Sequence, residues 1–122
     1  MTILVADDDR VQTLMLFTRL KAKGFKVIVA YDAIQAWMAA IRTPPDVIIL
    51  DIQMPGGTGI AVLNQLKSSP RTSEIPVIVL SGSIDPEMVP RVKGLGADAF
   101  LPKPVDLDRL FQTLASLLGA TL

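Results

Sequence analysis

Apolar and polar positions follow two recurring patterns along this chain. Short, almost continuous apolar runs are typical of strands that are buried on both faces of a sheet. Five such runs predict strands over residues 2–6, 26–30, 47–51, 77–80 and 99–101. Longer segments with apolar residues at helical spacing separate the runs, so strands and helices are expected to alternate throughout.

The spacing of the longer segments predicts helices over residues 10–23, 33–43, 59–68 and 106–118. Asp9 and Asp106 are suited to cap the first and last of these helices, and Gly24 is suited to end the first. The fourth helix is disturbed by Pro90, because a proline inside a helix costs about 3 kcal/mol. We therefore predict a short, late-starting or distorted helix between Pro86 and Leu95.

Strands that alternate with helices favour one α/β architecture. The pattern predicts a (βα)5 fold, a doubly wound five-stranded parallel sheet with helices on both faces, as a single domain over residues 1–122. The carboxyl ends of parallel strands share one edge of the sheet. Side chains that directly follow different strands are therefore expected to meet there.

The amino-acid composition limits which ligands and metal ions a site at this edge of the sheet can bind. The 122 residues include 12 basic and 12 acidic side chains, and this neutral balance argues against direct binding of nucleic acid. Cysteine and histidine are both absent, so a bound metal must be held by oxygen atoms, which favours Mg²⁺, Mn²⁺ or Ca²⁺. The sequence shows neither a signal peptide nor an apolar run long enough to span a membrane, so we expect a cytoplasmic protein with no membrane partner.

Four of the predicted strands end in polar side chains. Asp7 and Asp8 follow the first, Asp51 closes the third, Ser81 follows the fourth, and Lys103 lies just beyond the fifth. Carboxylates, a hydroxyl and an amine at one edge suit a divalent cation and a phosphoryl group, with one carboxylate as the acceptor.

Four segments carry a resemblance to a known family. Each segment resembles a segment of the CheY-like receiver domain of two-component response regulators. In chain order they are ILVADDD, VIILDIQMPGGTG, VIVLSGS and GADAFLPKP. The spacing agrees, since Ser81 lies 30 residues and Lys103 52 residues after Asp51. The resemblance implies a flavodoxin-like strand order 2-1-3-4-5 and a cis peptide bond between Lys103 and Pro104.

The resemblance implies a phosphoacceptor and a metal site. Asp51 would be the nucleophile that accepts the phosphoryl group as an acyl phosphate. Asp7, Asp8 and Asp51 would hold Mg²⁺, or Mn²⁺ in its place, and the backbone carbonyl of Gln53 would complete the protein ligands. A cation would offset the repulsion among three crowded carboxylates.

The resemblance also implies a switch. Lys103 would place its charge on a phosphoryl oxygen, and Ser81 would donate a hydrogen bond to another. Phe100 matches the aromatic switch position, although an ordinary core position on the fifth strand is the alternative interpretation. Phosphorylation would then change the face formed by helix 4, strand 5 and helix 5.

The implied partners are a sensor histidine kinase or a histidine phosphotransfer protein as donor, and a downstream effector or output domain. The chain has no histidine, so the donor must be another molecule. The chain would catalyse only its own phosphorylation and dephosphorylation, as a monomer or a phosphorylation-dependent dimer.

Three alternatives are left open by the residues. One is an interaction module of the same fold that works without phosphorylation. A haloacid-dehalogenase-type phosphatase would need a second aspartate where this chain has Gln53. A flavin-binding module would need a phosphate loop after the first strand that is not acidic.

Overall fold

The computed structural model describes residues 1–54, 59–82 and 86–119. Strands and helices alternate along the whole chain, as predicted. The strands are β1 (Thr2–Ala6), β2 (Lys26–Ala30), β3 (Val47–Asp51), β4 (Val77–Ser81) and β5 (Ala99–Pro102). The helices are α1 (Arg10–Ala22), α2 (Ala33–Arg42), α3 (Gly59–Ser68), α4 (Met88–Gly94) and α5 (Leu107–Leu118).

The five strands form one parallel sheet in the order β2-β1-β3-β4-β5, which confirms the predicted fold and strand order. The register aligns the carboxyl ends of neighbouring strands: Asp51 lies beside Leu80, and Ser81 lies beside Pro102. The polar residues that follow these strands are therefore delivered to one edge.

Both faces of the sheet are covered by helices. The cluster on one face includes buried side chains of α2, α3 and α4, and the cluster on the other includes buried side chains of α1 and α5. All five residues of β3 and all five of β4 are buried. Their near-continuous apolar sequences are explained by this two-sided burial.

Local polar contacts fix the ends of two helices. The Asp9 side chain accepts hydrogen bonds from the backbone N–H groups of Val11 and Gln12, and the Asp106 side chain accepts one from Arg109 N. Gly24 follows the end of α1 with φ at 94°, a left-handed conformation that favours glycine. The predicted caps are thus confirmed, and α1 ends one residue earlier than predicted.

Helix α4 is short and begins late, as predicted. It starts at Met88, so Pro90 is its third residue. The first four N–H groups of a helix have no acceptor within the helix, so a proline in this turn removes no helical hydrogen bond. The Lys103–Pro104 peptide bond is cis, in agreement with the family resemblance. Within the described ranges, no helix is long and apolar enough to cross a membrane.

Candidate functional site

The carboxyl edge of the sheet gathers five of the predicted site residues. Asp7 directly follows β1, Asp51 ends β3, Ser81 ends β4, and Lys103 directly follows β5. Asp7, Asp51 and Ser81 are buried, each with at most 2% of its surface exposed. Asp8 is exposed at the same edge. The site is therefore a buried polar group of side chains with one carboxylate at its rim.

Lys103 joins the two buried carboxylates. Its Nζ lies 3.1 Å from Asp51 Oδ2, to which it donates a hydrogen bond, and 2.9 Å from Asp7 Oδ2. Its backbone N–H donates to the carbonyl oxygen of Ser81 at 2.8 Å. The end of β4 therefore anchors the main chain of the lysine, while its side chain extends to the acidic pair.

Backbone N–H groups hold the other oxygen of each buried carboxylate. Asp7 Oδ1 accepts from Asp9 N at 3.0 Å, and Asp51 Oδ1 accepts from Gln53 N at 3.0 Å. Each bond closes a turn in which an aspartate side chain binds the main chain two residues ahead. The turns orient both carboxylates so that their Oδ2 atoms meet Lys103.

The surroundings shift the pKa values of two groups. Burial raises the pKa of Asp7 above its ordinary value of 3.8, and the charge of Asp51 adds to this effect against the opposing Asp9 N–H and Lys103. Burial alone would lower the pKa of Lys103, but the ion pairs with Asp7 and Asp51 outweigh it and raise that pKa. The negative charge of Asp7 is thus costly in this pocket, whereas the positive charge of Lys103 is favoured.

The residues fit a divalent cation. One carboxylate oxygen from each of Asp7, Asp8 and Asp51 lies within 4.8 Å of the others. Asp7 Oδ2 is buried and accepts no well-directed hydrogen bond, although Lys103 is close to it. Carboxylate oxygens are the ligands that Mg²⁺ and Mn²⁺ prefer. The structure shows the Gln53 N–H on Asp51, and the ligand role of the Gln53 carbonyl stays a prediction.

Phe100 is half-buried on β5, where it pairs in register with Val79. It packs against the core cluster on the α2, α3 and α4 face of the sheet. This position is compatible with both interpretations of Phe100, as a switch and as an ordinary core residue.

Gly59 is a residue of the site whose importance the sequence patterns did not reveal. Its N–H donates to the Ile52 carbonyl at 3.1 Å, and a Cβ built on it would collide with the carbonyl oxygen of Asp51 and the backbone of Ile52. Only glycine lets the start of α3 approach the acceptor strand this closely. A glycine that begins a helix, despite its low helix propensity, was the available signal.

Comparisons with known proteins agree on one family. The family model described as the response regulator receiver domain matches residues 3–115. The response regulator PleD of Caulobacter vibrioides is 40% identical over 120 residues, which cover 94% of this chain and 25% of PleD. The response regulator MprA of Mycobacterium avium is 37% identical over 99% of this chain and 52% of its own length.

Solved structures agree in fold. The receiver domain of Francisella response regulator 1452 has a TM-score of 0.89 at 30% identity and covers 97% of this chain and 96% of its own. The chemotaxis protein CheY4 of Vibrio cholerae has a TM-score of 0.89 at 29% identity and covers 96% of this chain and 98% of its own. This chain spans about half or less of the length of the curated relatives PleD and MprA.

Proposed function

We propose that this chain, which belongs to the response regulator receiver domain family, accepts a phosphoryl group on Asp51 in a reaction that requires Mg²⁺ or Mn²⁺. The observation that carries the proposal is the state of Asp51. It is a buried carboxylate with Oδ1 held by a backbone N–H and Oδ2 beside the Lys103 ammonium. This oriented acid beside a fixed positive charge suits a nucleophile that receives an anionic group.

In the proposed reaction, an Asp51 oxygen attacks the phosphorus of a phosphohistidine on a sensor histidine kinase or a phosphotransfer protein. The new P–O bond replaces the P–N bond, and the departing imidazole keeps the bonding electron pair and takes a proton from solvent. Lys103 moves its hydrogen bond to a phosphoryl oxygen, and the Ser81 hydroxyl donates to another.

A cation held by Asp7, Asp8 and Asp51 would neutralise charge on the carboxylates and on the phosphoryl oxygens. The fit of these three carboxylates to a hard cation supports this part of the proposal. Phosphoryl transfer depends mainly on positioning and charge neutralisation, and Asp51 and Lys103 contribute to both.

The proposed output is a conformational change that begins at Ser81 and Lys103. The hydrogen bond from Lys103 N to Ser81 O joins the ends of β4 and β5, so a shift at either residue reaches the other strand. We propose that Phe100 and the face formed by α4, β5 and α5 respond, and that an effector or output domain recognises this face. Cytoplasmic location and a monomeric or phosphorylation-dependent dimeric state stay predictions.

The alternative, an interaction module that works without phosphorylation, is less well supported. Such a module would not need two buried carboxylates together with a lysine, because buried charges carry a cost in stability. The proposed activity is limited to the chain's own phosphorylation and dephosphorylation, unlike a phosphatase that turns over external esters.

Intact-mass spectrometry after incubation with acetyl phosphate and Mg²⁺ tests the proposal. We expect the wild type to gain one phosphoryl group, and we expect neither Asp51→Asn nor the wild type in EDTA to gain it. Asp98→Asn is the matched control, because Asp98 is an ion-paired aspartate outside the site, and this variant should be labelled like the wild type. An unlabelled wild type that also fails to bind beryllofluoride would contradict the proposal.

A further inference from the structure

Helix α2 has apolar residues beyond those that face the core. Ala33, Ala36 and Ala40 are buried against the core, whereas Ile34 and Met38 are 68% and 42% exposed. We propose that this exposed surface is a contact between two copies of the chain, in which the two α2 helices pack antiparallel about a twofold axis. The inference is independent of the proposed phosphorylation.

Four residues form one apolar stripe along the side of α2, which we call the α2 stripe: Ile34, Trp37, Met38 and Ile41. Their spacing of three and four residues places them next to one another on the helix surface. Trp37 and Ile41 are half-buried, and Trp37 also packs against the core cluster, so the stripe continues from the core to the exposed residues. Exposed apolar side chains that adjoin one another typically mark an interaction surface, because covering them removes apolar area from water.

The order of residues in the α2 stripe fits a second copy of the same stripe. In an antiparallel pair with the axis between positions 37 and 38, Trp37 of each copy faces Met38 of the other. Ile34 then faces Ile41 at both ends of the contact. A twofold contact uses the same surface on both copies, so it requires this kind of self-complementarity.

The charges at the two ends of α2 favour the same arrangement. Asp32 lies at the amino end, where one of its carboxylate oxygens accepts the Gln35 N–H at 2.8 Å, and Arg42 is the last residue of the helix. Within the described ranges, neither Asp32 nor Arg42 forms an ion pair. Antiparallel packing brings each Arg42 close to Asp32 of the other copy, whereas parallel packing would bring like charges together.

The proposed contact lies apart from the phosphorylation site and the proposed output face. Helix α2 supplies none of the site residues at the carboxyl edge, and the output face consists of α4, β5 and α5. The contact therefore needs no phosphoryl group, unlike the dimer that the family resemblance implies. A helix of 10 residues gives a small interface, so we expect a weak dimer with a dissociation constant of about 10–100 µM.

Sedimentation equilibrium of the unphosphorylated protein tests the contact. We expect the weight-average mass of the wild type to rise from monomer toward dimer as the protein concentration increases through this range. Met38→Glu places a charge at the centre of the contact and should weaken dimerisation by about tenfold or more. Leu14→Glu is the matched control, because Leu14 is a 65% exposed apolar residue of α1, on the other face of the sheet, and this variant should dimerise like the wild type. A wild type that stays monomeric, or a Met38→Glu protein that dimerises as well as the wild type, would overturn the proposal.

Engineered cysteines test the antiparallel geometry. The chain has no cysteine of its own, so a disulfide can form only between introduced thiols. Ile34→Cys and Ile41→Cys should form a linked dimer when the two variants are mixed and oxidised, because these positions face each other in the antiparallel pair. Each variant alone should give much less linked dimer at the same total concentration, as measured by denaturing gel electrophoresis without reductant. Stronger linkage within a single variant than in the mixture would indicate a parallel arrangement and overturn the proposed geometry.

Discussion

Two lysine–carboxylate clusters lie at opposite ends of the same sheet. At the amino end, Lys67 Nζ lies 3.2 Å from Asp98 Oδ2 and also donates to the carbonyl oxygen of Ile75 at 2.8 Å. The same Asp98 oxygen accepts the Val77 N–H at 2.8 Å, which ties the start of β4 to the residue before β5. One lysine meets one carboxylate there, and the contacts join elements of the fold.

At the carboxyl end, Lys103 forms ion pairs with the two buried carboxylates of Asp7 and Asp51, and the exposed carboxylate of Asp8 lies nearby. The raised pKa of Asp7 shows that the negative charge is not fully compensated by Lys103. The comparison indicates that the amino end is arranged for stability, whereas the carboxyl end accepts a cost in stability to keep acidic oxygens available. Such imbalance is common at functional sites.

The largest expected difference between the two clusters is the effect of replacing each lysine on the rate of phosphoryl labelling. We expect Lys103→Met to slow phosphoryl labelling by acetyl phosphate about 10²-fold or more, the loss typical when a charged donor to a developing anion is removed. Lys67→Met should be labelled at the wild-type rate, since Lys67 lies at the amino end. Rates are followed by intact mass at saturating Mg²⁺, and equal rates for the two variants would remove the distinction.

Loss of Lys67 should instead lower the stability of the fold. Lys67→Met loses an ion pair and hydrogen bonds to two carbonyl oxygens, so we expect a loss of about 1–2 kcal/mol in the free energy of unfolding. In a domain of this size, each kcal/mol lowers Tm by about 4 °C. Urea unfolding in EDTA measures the change, and a Lys67→Met protein as stable as the wild type would mean that the amino-end pair contributes nothing measurable.

The smallest expected effect is the destabilisation of the fold by the negative charge of Asp7. Because its folded pKa is raised above the ordinary 3.8, its ionised form destabilises the fold at pH 7, and this cost disappears as the pH falls through the folded pKa toward 3.8. Asp7→Asn should therefore raise the unfolding free energy at pH 7 by about 0.5–1 kcal/mol, the usual size of a single stabilising substitution.

The gain in Asp7→Asn should shrink as the pH is lowered, because the wild-type residue then becomes neutral as well. Unfolding is measured in EDTA between pH 7 and pH 4 so that metal binding does not contribute. A gain that grew toward acidic pH would show that the sign assigned to Asp7 is wrong.

The elements of the fold were largely predictable because their sequence patterns are local. The apolar run before Asp51 predicted β3 to the residue, and Asp9 and Asp106 were predicted as caps. Most of the other boundaries also match to the residue, and the ends of β4, β5, α1 and α2 differ by one residue, as expected where the ends of elements fray. The sequence predicted that Asp7 and Lys103 lie at the same edge of the sheet, but it did not predict that they are in contact.

The contacts of Lys103 with the two carboxylates depend on tertiary structure. The distances from Lys103 Nζ to Asp7 and Asp51 depend on the turns after β1 and β3 and on the path of the chain after β5. The pattern of apolar residues in the sequence does not predict these loop conformations. The close approach of Gly59 to Ile52 was likewise hidden, because only the fold brings α3 over that backbone. The sequence shows which residue types follow each strand, whereas the contacts among these residues depend on the tertiary fold.

Chemical location of the phosphoryl group identifies the acceptor residue most directly. Protein labelled with acetyl phosphate and Mg²⁺ is reduced with borohydride, which converts an aspartyl phosphate to homoserine, and the peptides are sequenced by tandem mass spectrometry. If Asp51 is the acceptor, homoserine is found at position 51 and aspartate is unchanged at positions 7 and 8. Homoserine at position 7 or 8, or at no aspartate of a labelled protein, would contradict the assignment of Asp51 as the acceptor.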